Sequence, residues 1–406
     1  MSDQGETAVR ARIHFLFLNI GHFVDHLLPL VFASVAALTL TREWEMSYAE
    51  LIPYATPGVI AFGLGALPAG WLADRWSREK MMAIFFVGIG FSAIATAMAT
   101  TPVMMALGLF FIGLFGSIYH PVGLAMVIQG RQRTGMPLAV NGVFGNLGVA
   151  CAALFTGLLI QSSGWKAAFI WPGVVTLLLG GAYIGFLFVC RNVGPGSQSE
   201  GKRGGATGST GFARTQLIRI VLIVFASTAL GGLIFQSTTF ALPKIVGERM
   251  ADIAVSVSDI GWDAFGIFAL ASIGQLIVGF VVDRWSLKYV FVTVAACQCI
   301  FFLAMVGLSG PWALVTATAF MLVVFGQIPI NDVLIGRVAK TQWRSRALAA
   351  RYIISFSVSA TAIPMIAWVH ANWGFDIFFL ILAAAAAVIS AIVLFLPRLQ
   401  ASGNAV

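Results

Sequence analysis

Residues 70–80 read GWLADRWSREK, and residues 279–288 read GFVVDRWSLK. In both, a long apolar stretch gives way to an Asp-Arg pair, then to tryptophan, serine and more basic charge. The two runs lie about 210 residues apart, and other pairs keep nearly the same offset. Phe115-Gly116 with Ile118 matches Phe325-Gly326 with Ile328; Leu138-Ala139 matches Leu348-Ala349; Gly164 matches Gly374; Phe169 matches Phe379. One register held over so many positions is the mark of a duplicated unit.

The solvent follows from composition. Hydrophobic residues make up 59% of the 406 and charged residues only 10%. The mean hydropathy is +0.93. Soluble domains carry about a quarter charged residues, so this chain could not cover its surface in water. In a bilayer every backbone polar group must be satisfied within the protein, which makes long apolar runs helical. A net charge of +8 raises the question of nucleic acid, but the basic residues sit in short clusters between apolar runs, and no nucleic-acid partner is expected. Cys151, Cys190, Cys297 and Cys299 fall inside apolar stretches with no accompanying ligand set. They read as packing thiols, and no metal or cofactor is expected. The first apolar stretch exceeds a signal-peptide core, so no cleavable signal is expected.

Crossing a hydrocarbon core takes roughly 20 apolar residues in helix. Charge, proline and glycine divide the chain into twelve such stretches, near 13–38, 49–73, 80–98, 102–128, 137–160, 167–190, 215–246, 259–282, 288–308, 311–336, 347–370 and 374–397. The Gly- and Ser-rich stretch between the sixth and seventh reads as a flexible cytoplasmic linker. Three regions follow: a six-helix bundle over 1–191, the linker over 192–214 and a second bundle over 215–406. With both termini cytoplasmic, the inner loops collect Arg10, Arg12, Arg75, Arg78, Lys80, Arg284 and Lys288, while the outer loops hold only Arg42, Lys166, Lys244 and Arg249. That asymmetry sets the expected orientation, in a bacterial inner membrane.

The run from Gly70 to Lys80 resembles the signature loop between helices two and three of the major facilitator superfamily, with a weaker copy at Gly279 to Lys288. The resemblance covers nearly the whole chain. It implies an all-α membrane protein of twelve transmembrane helices in two six-helix bundles, secondary transport by alternating access, and a substrate path between the halves near the midplane. In the loop itself, Asp74 with Arg75 and Arg78 can latch the cytoplasmic side, and Asp283 with Arg284 can do so in the second half.

Ionisable groups inside a span are costly and mark function. The first helix carries Asn19, His22, Asp25 and His26 in NIGHFVDHLL. His22 is three residues before Asp25, on nearly the same helix face, and a carboxylate beside an imidazole is a competent proton site. Helix four carries Tyr119-His120-Pro121, where a proline frees a carbonyl and distorts the helix next to a cavity. These two groups resemble the fosmidomycin-resistance branch of the superfamily, which implies export of small drug-like compounds in exchange for protons. The acidic residue that often follows the His-Pro pair there is replaced by Val122 and Gly123. The fifth helix, from Asn141 to Gly148, reads as a small-residue packing face.

Proton coupling is therefore assigned to Asp25 and His22. Asn19, His26, Tyr119, His120, Asn146, Gln236, Gln327 and Asn331 are candidate cavity residues. Asp332 and Arg351, near the cytoplasmic ends of helices ten and eleven, form a candidate gating pair. The leading expectation is a monomeric, proton-coupled exporter of a small drug-like or anionic compound. Uptake of a small organic acid or nutrient by proton symport, with Arg351 as anion contact, is the alternative; a non-transporting sensor or scaffold is a distant third. Neither a His-Glu-x-x-His nor a Gly-x-Ser-x-Gly motif occurs, so no enzyme is expected, and without a phosphate-binding Gly-x-x-x-x-Gly-Lys loop the chain does not pump with ATP.

Overall fold

The computed structural model describes residues 3–129, 131, 135–191, 214–251, 256–338 and 341–397. The expected linker over 192–214 falls almost wholly outside the described residues. Among the described residues, eleven segments are long and apolar enough to cross a membrane. They are α1 (Ala8–Glu43), α2 (Tyr48–Arg75), α3 (Arg78–Thr96), α4 (Pro102–Ile128), α5 (Met136–Ser163), α6 (Trp165–Cys190), α7 (Ile218–Arg249), α8 (Val257–Arg284), α9 (Leu287–Ala304), α10 (Pro311–Ile330) and a last stretch, Ser357–Leu394. That stretch has 38 residues. At 1.5 Å per residue it is nearly twice as long as a hydrocarbon core of about 30 Å requires. Gly374, with φ 69° and ψ −170°, interrupts it. It is two helices end to end, α11 (357–373) and α12 (375–394), which makes twelve spans among the described residues.

Gly164, at the junction of α5 and α6, has φ 81°. It is the repeat partner of Gly374, so both halves turn from their fifth to their sixth helix through a left-handed glycine. Phe169 and Phe379, also repeat partners, are both fully buried. Ser47 and Ser256 each form a reciprocal capping box before the second helix of their half, with Glu50 and Asp259. The backbone thus carries the same duplication as the sequence.

Two compact units result, one of Met1–Trp44 with Tyr54–Arg203 and one of Glu45–Pro53 with Gly204–Val406. In the first unit α1 packs on α5, α2 and α3 on α4, and α3 on α6. The second repeats the pattern, with α8 and α9 on α10, Gly232 of α7 near Ser355, two residues before α11, and α9 on α12 through Phe302 and Phe379. Large apolar side chains cover the outside too, among them Leu64, Met98, Leu178 and Trp312. Apolar inside and out is what a lipid-facing bundle requires. The four cysteines form no disulfides.

Helices one and four are not regular throughout. α1 passes through a π-helical turn at Ala36–Leu40. α4 breaks into a helix ending at Gly116, a π-helical turn at Tyr119–Gly123 and a last short helix. Pro121 lies in that second turn and lacks the N–H that a regular helix would need there. Such turns are frequent at functional sites. This one aims Tyr119 and His120 at α1.

Candidate functional site

Close approach of α5 to α1 comes first, because it fixes where the polar residues of α1 point. A Cβ on Gly148 would lie 2.2 Å from the Phe23 carbonyl oxygen, and one on Gly145 would lie 2.7 Å from His22 Nε2. Only glycine admits this contact. The glycines of α5 therefore pack the helix, as their pattern indicated.

Asn141, at the start of the same glycine-rich run, is fully buried and joins three helices. Its side-chain amide donates to Asn19 Oδ1 at 3.0 Å and to the Tyr119 hydroxyl at 2.9 Å. That hydroxyl donates to the Leu18 carbonyl at 2.7 Å. The Asn141 carbonyl in turn lies 2.8 Å from His22 Nδ1. A carbonyl only accepts, so Nδ1 carries the proton, and Nε2 of the neutral ring presents its lone pair. The Tyr119 ring stacks on His22 with centroids 4.9 Å apart.

His22 Nε2 faces His26 Nε2 at 3.1 Å. Asp25 turns elsewhere. It is 1% exposed, and its Oδ2 lies 3.2 Å from His120 Nε2 on α4. The contact is close enough for an ion pair, but its angles are not those of a hydrogen bond, and both carboxylate oxygens lack hydrogen-bond partners. The expected pairing of Asp25 with His22 along one helix is replaced by a cross-helix contact. A three-residue step puts two side chains on one face, but their hydrogen-bonding atoms here point to different neighbours. One ring nitrogen from each of His22, His26 and His120 lies within 4.8 Å of the other two.

The remaining candidates scatter. Asn146 and Gln236 are half-buried on α5 and α7. Gln327 accepts a hydrogen bond from Gln298 at 2.8 Å, forming a buried amide pair inside the second unit. Asn331, Asp332 and Arg351 belong to helices, but their side chains lie outside the described residues. Asp74 bonds Arg78 at 2.8 Å, and both are at least a third exposed. Arg75 lies over the Trp71 ring, as Arg284 lies over Phe280, so the duplicated loops share this contact as well. Asp283 is exposed.

Sequence reasoning missed Asn141, whose place at the head of the small-residue face of the fifth helix was its only signal. It also missed a charged group in the second unit. There Glu248 meets His370 at 2.8 Å and Lys244 at 3.3 Å. Arg249 pairs with Asp376, which also accepts the Gly307 N–H at 2.9 Å. Lys244 and Glu248 are one helical turn apart, but His370 lies 122 residues from Glu248 and Asp376 127 from Arg249, and such distances give no spacing signal.

The Major Facilitator Superfamily profile matches residues 18–251, more than half of the chain. The chain belongs to that family. It is a multi-pass membrane transporter and not an enzyme. Among superfamily relatives, a Na(+), Li(+), K(+)/H(+) antiporter of Planococcus maritimus is 25% identical over 344 residues, 76% of this chain and 79% of that one. A gallate transporter of Pseudomonas putida is 29% identical over 146 residues. That match spans 35% of this chain and about a third of the relative's length. In fold, the inward-open xylose transporter XylE from E. coli superposes with a TM-score of 0.73 at 14% identity, over 97% of this chain and 98% of that one.

Proposed function

We propose that this superfamily member is a proton-coupled antiporter that exports a small compound by alternating access, with Asp25 and the imidazoles around it as the coupling site. The drug-like or anionic character of the compound rests on the short resemblance at His22–Asp25 and Tyr119–Pro121. The observation that carries the coupling reading is Asp25 itself. A carboxylate sealed from solvent, with both oxygens free of hydrogen bonds and an imidazole 3.2 Å away, is costly unless it serves a cation. Exchange requires one site whose affinity for cation and substrate differs between the two open states. The antiporter of Planococcus maritimus, similar along three quarters of this chain, supports that reading. Both termini then lie in the cytoplasm and the protein acts as a monomer in the bacterial inner membrane.

Uptake of a small organic acid by proton symport is the second reading, favoured by the similarity of one third of the chain to a gallate transporter. One assay separates the two. Purified protein in liposomes carrying an interior pH dye is challenged with candidate compounds, and wild type is compared with Asp25→Asn. A compound that moves protons with wild type and not with the variant supports coupling at Asp25, and the sign of the flux distinguishes export from uptake. A compound that crosses equally well with both proteins, without proton movement, overturns the coupling reading.

A further inference from the structure

The cluster of His22, His26 and His120 beside Asp25 is a distinctive set of donors. Three ring nitrogens within 4.8 Å of one another and a carboxylate oxygen 3.2 Å from one of them form a compact group inside a helical bundle. We propose that the three imidazoles bind a divalent transition-metal ion of the zinc, cobalt and nickel type, with Asp25, in contact with His120, as the charge that accompanies it. The proposal does not depend on proton coupling, because metal binding is read separately from proton flux.

The geometry supports the donor roles one by one. His22 Nδ1 is fixed by the Asn141 carbonyl at 2.8 Å. Metal-ligating histidines almost always hold their second nitrogen in this way, which settles the tautomer and aims the other nitrogen at the metal. The aimed nitrogen, Nε2, faces His26 Nε2 at 3.1 Å. A tetrahedral ion with nitrogen ligands at about 2.0–2.1 Å sets those ligands roughly 3.3 Å apart. The ligand nitrogens lie within 4.8 Å of one another, so drawing the widest pair to that spacing takes at most about 1.5 Å, shared between two side chains. His120 lies in the π-helical turn at Tyr119–Gly123, the part of its helix least bound by regular hydrogen bonds. Asp25 supplies one negative charge, and neither of its oxygens is committed to a hydrogen bond.

Donor chemistry narrows the ion. Imidazole with one carboxylate suits zinc, cobalt and nickel, whereas copper(I) selects thiolate or thioether ligands, absent from these four residues. Calcium takes six or more oxygen ligands and magnesium retains water in an oxygen octahedron. One carboxylate among three imidazoles serves neither. The stacked Tyr119 ring and the Gly145 contact hold His22 in place.

The test uses the full chain in detergent micelles with any affinity tag removed. Titration with Co2+ is followed by the visible absorption of the bound ion and by equilibrium dialysis. One equivalent per chain is expected, with a band of four-coordinate intensity that Zn2+ displaces and Mg2+, Ca2+ and Na+ do not. Loss of even an outer-shell partner typically costs 10–100-fold in affinity. His26→Gln and His120→Gln are each expected to weaken binding by at least about a hundred-fold, and His14→Gln, outside the cluster, to leave it unchanged. Size-exclusion profiles establish that the variants fold. If they do not, pulsed electron paramagnetic resonance of Cu2+ bound to wild type counts the coordinating imidazoles directly. Absence of a stoichiometric band, its survival in the His26→Gln/His120→Gln double variant, or fewer than two imidazoles on the copper each overturns the site. An intact Co2+ site without Asp25-dependent proton flux would sink the coupling reading and leave this one standing.

Discussion

Asp25 on α1 and His120 on α4 meet across two helices, with Oδ2 and Nε2 3.2 Å apart. The carboxylate is almost sealed from solvent while the imidazole side chain is 21% exposed. His120 is therefore the member of the pair with the more open approach, and it stands on an irregular turn of its helix.

If the two act as one unit, their removal is not additive. Asp25→Asn and His120→Gln should each lower proton-linked flux in liposomes by at least about ten-fold, equivalent to roughly 1.4 kcal/mol of activation free energy. The double variant should be no worse than the poorer single one. Losses that multiply would assign the two residues independent roles.

Asn141 is predicted to matter for stability more than its type suggests. Asn141→Leu removes the donor to Asn19 Oδ1 and Tyr119, and leaves the buried Asn19 oxygen without it. An orphaned buried polar group costs about 1–3 kcal/mol. A fall of several degrees in melting temperature in detergent is expected, with transport reduced because the Tyr119 ring that stacks on His22 is released. An unchanged melting temperature would mean that water replaces the amide.

The helical architecture was legible because its cause is local. Length, apolarity and glycine punctuation decide what crosses a bilayer, and a duplicated register with Gly164 and Gly374 at matching places decides how each half turns. The site was half legible. Asn19, His22, Asp25, His26, Tyr119 and His120 stand out because polar side chains are rare in apolar spans. Their pairing did not follow from spacing, because helix geometry says which face a residue occupies and not which neighbour arrives from another helix. Asn141 stayed hidden among small residues for the same reason, and Asp376 because its partners Arg249 and Gly307 come from elsewhere in the chain.

The loop residue Asp74 separates stability from transport. Its bond to Arg78 is 2.8 Å long but exposed, and exposed pairs contribute about 0–1 kcal/mol. Asp74→Asn should leave the melting temperature within a degree or two. If Asp74 gates, the same variant loses most of its transport. Full transport by Asp74→Asn would reduce the pair to a topology signal with no gating part.

Two glycines on one helix face make opposite predictions about what breaks first. At Gly148 a methyl group meets the Phe23 carbonyl, part of the backbone of α1, at 2.2 Å. Backbone cannot swing aside, so Gly148→Ala must push the two helices apart, and such overpacking costs about 1–3 kcal/mol. At Gly145 the methyl meets the His22 ring at 2.7 Å. A ring can rotate, which spares the helix contact but takes Nε2 away from His26 and Nδ1 away from the Asn141 carbonyl. Gly148→Ala should therefore lower melting temperature and transport together, while Gly145→Ala should lower transport with the smaller thermal shift. Thermal unfolding in detergent beside flux in liposomes distinguishes them, and wild-type flux from Gly145→Ala would show that the orientation of His22 does not matter.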